Sequence, residues 1–368
     1  MKARQLLLAI AGSGALAAAF MLGRHTRPDA SLPPARTVVG AIHAAAPVQP
    51  AATAASVPQP APSGIPLQAT HDSSADDATA ADTDAAVLPD IAAIDSYEDL
   101  LYAQPDMVDD AITRLRSSAA GTPALFAVGF AGDAEENVFR NEVAYLPKLL
   151  ATRFAAEGRT LQLINSPFTF ERTPLATRSN LEQALATISK RMNPDNDILL
   201  LFLTSHGSHD HRLLVEMGSM PLDQLTPQDI RDALDRAHVR WRVIVISACY
   251  SGGFIPALRE PHTMIITAAR ADRTSFGCGS DSQLTWFGKA FLVDGLNRST
   301  DFRAAFATAK TDVAQWERRE HETPSEPQLW AGPLIDAKLD AWRASLPPSA
   351  PVVPFTAMPQ RLERRSPP

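Results

Sequence analysis

The amino-acid sequence predicts an α/β fold with a mostly parallel central sheet. Short runs of Leu, Ile, Val and Phe recur through the middle of the chain. Several of them are apolar at nearly every position, as strands buried on both faces of a parallel sheet require. Segments with helical signals separate the runs, and this alternation of strand and helix is typical of α/β proteins.

Six apolar runs are the predicted strands. They span residues 124–130, 160–165, 198–204, 242–247 and 263–268, with a shorter candidate at 328–330. In open α/β sheets the functional site lies beyond the carboxyl ends of the strands. The residues that directly follow each run are therefore where reactive side chains are expected.

Three helices are predicted between these strands. The first covers residues 137–156 and is interrupted at Pro147, because proline lacks the backbone N–H that a helix needs. The second begins at Ser179, where Ser179 and Glu182 form a capping-box pattern. The third begins at Thr226, with the following proline at the first helical position.

The N-terminus has the pattern of an export signal. Lys2 and Arg4 precede an uncharged apolar run that ends near residue 23, and its Ala-Leu-Ala stretch offers the small residues that a signal peptidase needs. A cleaved signal peptide and an uncleaved anchor both fit residues 1–23, since about 18 apolar residues just suffice to span a bilayer. In either case the bulk of the chain is predicted to be exported.

Composition divides the rest of the chain into three parts. Residues 24–95 are rich in Ala and Pro and poor in large apolar residues, so a disordered linker is predicted. Residues 96–345 are long enough for one substantial core. The Pro-rich residues 346–368 are predicted to be a disordered tail. A net charge of −7 leaves no basic excess for a nucleic-acid partner, and none is expected.

Reactive side chains follow two consecutive predicted strands. His206 and Gly207 come directly after the run 198–204, and Cys249 follows the run 242–247 just before Tyr-Ser-Gly-Gly. Each residue alone fits a structural role, as a hydrogen-bonded histidine or a small buried thiol. If the two strands are neighbours, however, imidazole and thiol face one crevice, where the imidazole can activate the thiol. The pair therefore predicts a cysteine nucleophile with a histidine base.

The stretches ILLLFLTSHG and VIVISACYSGGF resemble the legumain-type cysteine peptidases, family C13, whose wider clan includes the caspases. Residues 137–144 and 267–278 also resemble segments of that family, and the resemblance extends over about residues 124–330. It implies a caspase-like three-layer sandwich, with helices flanking a mostly parallel six-stranded sheet. It further implies a bacterial-type peptidase without a cofactor that acts on proteins or peptides, here in the periplasm because of the export signal.

The resemblance also assigns roles to particular residues. Cys249 would attack the scissile carbonyl and form an acyl-enzyme, while His206 would protonate the departing amine and later activate water. The backbone N–H groups of Gly207 and Cys249 would hold the oxyanion. Arg140 falls where the family keeps a basic residue that contacts the side chain at the cleavage site, and Ser275 is a candidate lining residue.

Two positions depart from the family's substrate pocket. Ser247 and Lys289 stand where the family has acidic residues. An asparagine-like cleavage preference follows from the resemblance, but these departures argue against strict specificity. The role of Cys278 stays open between a free thiol, a disulfide partner of Cys249 and a packing residue.

Three alternative functions compete with peptide hydrolysis. The sequence HGSHDH, which contains His206, His209, Asp210 and His211, is close to a metallo-hydrolase pattern. Its spacing differs by one residue and no downstream His or Cys partners follow comparable strands, so no metal is expected. A transpeptidase or transamidase would use the same dyad. A non-catalytic binding module on a caspase-like scaffold is the third alternative.

Overall fold

The computed structural model describes the chain from Ser96 to Pro359, apart from three single residues. The described ranges are 96–119, 121–279, 281–348 and 350–359. All of them belong to one compact unit, Ala80–Pro368. The predicted signal or anchor at 1–23 and the predicted linker at 24–95 lie outside the described residues. Within these ranges, no helix has the length and apolar character to span a membrane.

A six-stranded sheet forms the centre of the described domain. Its strands are β1 Leu125–Ala131, β2 Thr160–Ile164, β3 Ile198–Thr204, β4 Trp241–Ser247, β5 Thr263–Thr267 and β6 Gln328–Ala331. They lie in the order β2-β1-β3-β4-β5-β6, and all neighbours are parallel except β5 and β6. The prediction of a mostly parallel six-stranded sheet is confirmed.

Helices cover both faces of the sheet. They are α1 Tyr97–Thr113, α2 Asn137–Phe154, α3 Arg178–Ile188, α4 Pro227–Arg236, α5 Ile255–Leu258, α6 Trp286–Gly288, α7 Phe302–Glu320 and α8 Ile335–Arg343, with a π-helix at Lys289–Gly295 after α6. Alternate side chains of β3 face opposite layers: Phe202 packs in the core with α2, α7 and α8, whereas Leu203 packs with α1, α3 and α4. The domain is therefore a three-layer sandwich, as expected.

Helix α2 continues through Pro147, contrary to the prediction of an interruption there. Proline cannot donate to the carbonyl of Val143, one turn earlier. That carbonyl instead accepts a hydrogen bond from the side-chain amide of Gln162 on β2, at 3.0 Å. A tertiary contact thus supplies the missing donor, and the helix remains intact.

The predicted capping box at the start of α3 is wrong, whereas the start of α4 is confirmed. Thr177 caps α3, and the carboxylate of Glu182 forms an ion pair with Arg236 at 2.9 Å. In α4 the side chain of Thr226 accepts from the backbone N–H of Asp229, and Asp229 accepts from the backbone of Thr226. The difference arises because the cap of α3 lies two residues before the Ser-x-x-Glu pattern.

The segment 350–359 packs along α2, which differs from the prediction of a disordered tail. The hydroxyl of Tyr145 donates to the carbonyl of Val353 at 2.7 Å, and the ring of Phe355 lies 5.6 Å from that of Tyr145. Near the start of α2, the N–H of Met358 donates to the side chain of Asn141 at 3.2 Å. A few apolar side chains between prolines thus hold this segment, although its composition predicts disorder.

Candidate active site

Three reactive side chains lie at equivalent positions beyond three neighbouring strands. Ala131 at the end of β1 pairs with Thr204 at the end of β3, which pairs with Ser247 at the end of β4. The reactive residue comes two positions after this paired residue in each strand: Asp133 after β1, His206 after β3 and Cys249 after β4. Sheet register therefore brings a carboxyl, an imidazole and a thiol to one edge.

The backbones of the histidine and cysteine motifs are in direct contact at Gly207. A β-carbon on Gly207 would overlap the carbonyl oxygen of Cys249, so only glycine fits. Among the described residues, neither the N–H of Gly207 nor that of Cys249 donates to a protein acceptor. Both donors are therefore free to hold an oxygen that develops negative charge.

Ser275 lies against the thiol of Cys249. The N–H of Ser275 donates to Sγ of Cys249 at 3.2 Å, and the Ser275 hydroxyl oxygen lies 3.6 Å from the same sulfur. The carbonyl oxygen of Ser275 lies 3.5 Å from the same sulfur, so Ser275 contacts the thiol through both its backbone and its side chain. Ser275, which the sequence predicts to line the substrate site, therefore contacts the proposed nucleophile itself.

Asp133 is a site residue that the sequence analysis missed. Its Oδ2 lies 3.2 Å from Nε2 of His206, and its side chain is only 1% exposed. Burial raises the pKa of Asp133, while the N–H of Glu135 and the attraction of His206 oppose that rise. The ring of Phe139 packs edge-on against His206 with centroids 5.1 Å apart. The imidazole is therefore held by a carboxyl on one side and an aromatic ring on the other.

Cys278 is a free thiol in this structure, as is Cys249, so they form no disulfide. Cys278 is half-buried and packs against the core layer that contains α2. Burial raises the pKa of Cys278, and the proximity of Cys249 raises it further. Cys278 is therefore held as the neutral thiol.

Arg140 is buried, with only 1% of its surface exposed. Its Cζ lies 4.8 Å from the centre of the Phe168 ring, and one long hydrogen bond of 3.4 Å joins Nη2 to the side chain of Asn141. Nε and Nη1 have no hydrogen-bond partner. No carboxylate of the described residues lies within ion-pair distance of Arg140, so its charge is uncompensated.

The side chains of the two positions expected to depart from the family's pocket make different contacts. Ser247 is 2% exposed, and its hydroxyl lies 3.2 Å from that of Thr285 in a buried cluster around Glu142. Lys289 forms an ion pair with Asp294 at 2.6 Å and is half-exposed. Both side chains therefore have partners other than Arg140.

The histidine-rich loop does not gather a set of metal ligands. His209 packs against Tyr250 with ring centroids 5.4 Å apart, and Asp210 pairs with Arg212 at 2.7 Å. The ring of His211 lies directly against Gly253. In the part of the chain that the structure describes, no three His, Cys, Asp or Glu side chains are arranged to hold a metal ion.

Comparison with known proteins gives two similarities. The profile of the Peptidase C13 family matches residues 178–337. Among solved structures, caspase-1 from Spodoptera frugiperda is similar, with a TM-score of 0.42 and 14% identity, over 59% of this chain and 88% of that chain. A comparison with curated proteins found no match. The matched segment 178–337 contains both His206 and Cys249, and the resemblance to the Peptidase C13 family is confirmed over this segment.

Proposed function

We propose that this protein is a cysteine endopeptidase in which Cys249 is the nucleophile and His206 the acid and base. The observation that carries the proposal is the common position of the two residues beyond β3 and β4, with the free N–H groups of Gly207 and Cys249 beside them. Nucleophile, base and oxyanion donors are the parts that acyl transfer needs.

The reaction begins with proton transfer from the thiol to the imidazole. Because Nε2 of His206 faces Asp133, Nδ1 is the nitrogen that takes this proton. The thiolate of Cys249 then attacks the scissile carbonyl carbon, and the oxyanion is held by the two backbone N–H groups. The C–N bond breaks as the imidazolium gives its proton to the leaving amine. Water, deprotonated by His206, finally hydrolyses the thioester and restores the thiol.

Asp133 acts as a positioning residue in this scheme. Its carboxylate accepts a hydrogen bond from the Nε2–H of His206, fixes the ring orientation and stabilises the imidazolium that forms when the thiol loses its proton. The carboxyl is itself held by the N–H of Glu135, at 2.6 Å from Oδ1. The arrangement extends the expected dyad to three residues.

Digestion of a peptide library by the full-length protein tests the proposal. We expect cleavage within peptides, loss of activity on alkylation and no effect of chelators. Cys249→Ala should abolish cleavage, whereas Cys278→Ala, the matched control for the second thiol, should retain it. Cleavage by Cys249→Ala at the wild-type rate would refute the assignment, and a folded protein that cleaves no peptide would favour the non-catalytic module. An added amine nucleophile separates hydrolysis from transpeptidation by the products formed.

We also propose that the enzyme acts in the periplasm, either released or anchored through residues 1–23. The cations and the apolar run at the N-terminus support this location. Fractionation of cells that express the full-length chain tests it, since a cleaved protein is recovered in the soluble periplasmic fraction and an anchored one with the membrane.

A further inference from the structure

The histidine-rich loop that follows His206 is a closed hairpin, which we call the histidine hairpin, residues 207–213. Gly207 and Leu213 pair across it as an antiparallel bridge. At its tip, the N–H of Ser208 donates to the carbonyl of Arg212 at 2.9 Å, and the hydroxyl oxygen of Ser208 accepts from the N–H of Arg212 at 3.1 Å. Gly207, which offers one of the two oxyanion donors, is therefore part of a fixed hairpin.

The four residues after Cys249 form a turn, the cysteine turn 250–253, which is bound on one side by the segment after β5. The N–H of Tyr250 donates to the carbonyl of Arg273 at 2.7 Å, and the hydroxyl oxygen of Ser251 accepts from the N–H of Ala269 at 3.1 Å. Tyr250 has a left-handed backbone with φ of 56°, a conformation that costs energy in a residue with a side chain. Contacts from neighbouring segments are needed to maintain such a turn.

Two histidines of the histidine hairpin contact the other side of the cysteine turn. The ring of His211 lies so close to Gly253 that a β-carbon there would overlap its Cγ, Nδ1 and Cδ2 atoms. The ring of His209 meets that of Tyr250 with centroids 5.4 Å apart. Nδ1 of His211 is buried and has no hydrogen-bond partner in the described part of the chain, so this nitrogen contributes by packing.

The contact between hairpin and turn sets the distance between the two oxyanion donors. Gly207 is part of the histidine hairpin, and Cys249 directly precedes the cysteine turn. A shift of the turn away from the hairpin therefore moves the N–H of Cys249 away from that of Gly207. Both N–H groups must reach the same oxygen to stabilise its charge, and a displacement of about 1 Å can lower a rate about a hundredfold.

We propose that His211, with His209 beside it, positions the oxyanion-binding N–H groups of Gly207 and Cys249 by holding the cysteine turn against the histidine hairpin. The inference rests on the proposed function of the same site. It gives the sequence HGSHDH a role other than metal binding. Both histidines are positioning residues in this scheme, because they act on the oxyanion through the backbone and transfer no proton.

Cleavage kinetics of His211→Gly test the inference, because glycine removes the ring and adopts the left-handed backbone freely. We expect kcat to fall about 10- to 100-fold with little change in KM, since the oxyanion forms only after the substrate has bound. His211→Asn keeps a branched carbon at the Cγ position and should retain most of the activity. His238→Gly is the matched control and should cleave like the wild type, because His238 is also left-handed, with φ of 53°, but is exposed at the opposite edge of the sheet. A wild-type kcat in His211→Gly would overturn the inference.

Two reactions of Cys249 separate oxyanion positioning from a general structural effect. A peptide aldehyde with a sequence that the wild type cleaves reacts at its carbonyl carbon: the C–S bond forms, and the π electrons move to the oxygen, which lies where the oxyanion would. Iodoacetamide alkylates the thiolate and releases iodide, so no oxyanion forms. In a Cys278→Ala background, we expect His211→Gly to weaken aldehyde inhibition about tenfold and to leave the alkylation rate unchanged. An equal loss in both reactions would assign His211 a structural role.

Substitution of Gly253 tests the contact itself. Gly253→Ala should remove most of the cleavage activity, because its methyl group overlaps the ring of His211. His211→Gly removes that overlap, so Gly253→Ala/His211→Gly should recover the activity of His211→Gly alone. A double variant that is no more active than Gly253→Ala would contradict the proposed contact.

Failure of this inference is distinguishable from failure of the proposed function. Cys249-dependent cleavage and aldehyde inhibition that are equal in the wild type and His211→Gly overturn the inference and leave the peptidase intact. A folded wild-type protein that cleaves no peptide refutes the proposed function, and the inference with it.

Discussion

Replacing Glu142 by glutamine should remove one pH-dependent component of the protein's stability. Glu142 is fully buried. Its Oε1 accepts from the N–H and the hydroxyl of Thr285 at 2.9 and 2.6 Å, and Oε2 accepts from the hydroxyl of Thr204 at 2.6 Å. Glutamine retains the shape and these contacts, because its oxygen can accept from Thr285 while its NH2 group donates to the oxygen of Thr204.

The size of this change in stability follows from the pKa of the Glu142 carboxyl. Burial raises the pKa of Glu142 from 4.5 to about 7. Between these two values the unfolded chain has lost the proton and the folded chain still holds it, so stability falls as pH rises. The stabilising contribution of the protonated carboxyl is fully present below pH 4.5 and is lost above pH 7. A shift of this size corresponds to about 3 kcal/mol of unfolding free energy.

Urea unfolding of the wild type and Glu142→Gln, followed by tryptophan fluorescence from pH 4.5 to pH 7.5, measures this effect. We expect the free energy of unfolding of the variant to gain about 3 kcal/mol relative to the wild type across that range. Other titrating groups cancel in the difference. Glu182→Gln is the control, because Glu182 forms a surface ion pair with Arg236. A difference between wild type and Glu142→Gln that stays constant with pH would refute the reasoning.

Three further substitutions probe the site and the C-terminal segment. Asp133→Asn should lower kcat by about a hundredfold or more, since a neutral amide cannot stabilise the imidazolium, and the rate of alkylation of Cys249 should fall with it. Gly207→Ala should destabilise the fold by about 1–3 kcal/mol in urea unfolding and abolish cleavage, whereas Gly279→Ala, where a β-carbon meets open space, should change neither. Tyr145→Phe should cost about 1–2 kcal/mol of unfolding free energy and speed proteolysis of the segment 350–359.

The sheet could be predicted from the sequence, but three of the longer helices of the described domain, α1, α7 and α8, could not. Each strand is a run of large apolar residues, and such runs stand out from their surroundings. Helix α7, in contrast, packs through a row of its own buried residues that includes Ala305 and Ala309, whose methyl groups give little hydrophobic signal. Helix α1 contains Pro105, which argues against a helix. Helix α8 has no side-chain cap at its first turn, so it lacks the sequence signal that marks the start of α4.

The placement of His206 and Cys249 beyond neighbouring strands could be predicted, because each residue follows its apolar run and lies beside or near glycine. Asp133 follows β1 in the same way, yet in the sequence it is one of three acidic residues in a short stretch. Only burial distinguishes it, since Asp133 is 1% exposed whereas Glu135 is exposed. The departure from the family at Ser247 stays a prediction, but the structure shows where this side chain lies. Its side chain points into the core because strand residues alternate between faces, and the neighbour it meets there, Glu142, comes from a distant helix.

Asp133 and Glu142 differ in the partners that burial gives them, and this difference separates their roles. Burial raises the pKa of both carboxyls. Asp133 faces an imidazole, which can carry a positive charge, so a proton that arrives at His206 creates an ion pair that favours the charged carboxylate. Glu142 faces hydroxyls and a backbone N–H, none of which can carry a compensating charge. Substitution of Glu142 should therefore alter stability with pH and leave the pH profile of catalysis in place, whereas substitution of Asp133 should alter catalysis at every pH at which the enzyme is folded.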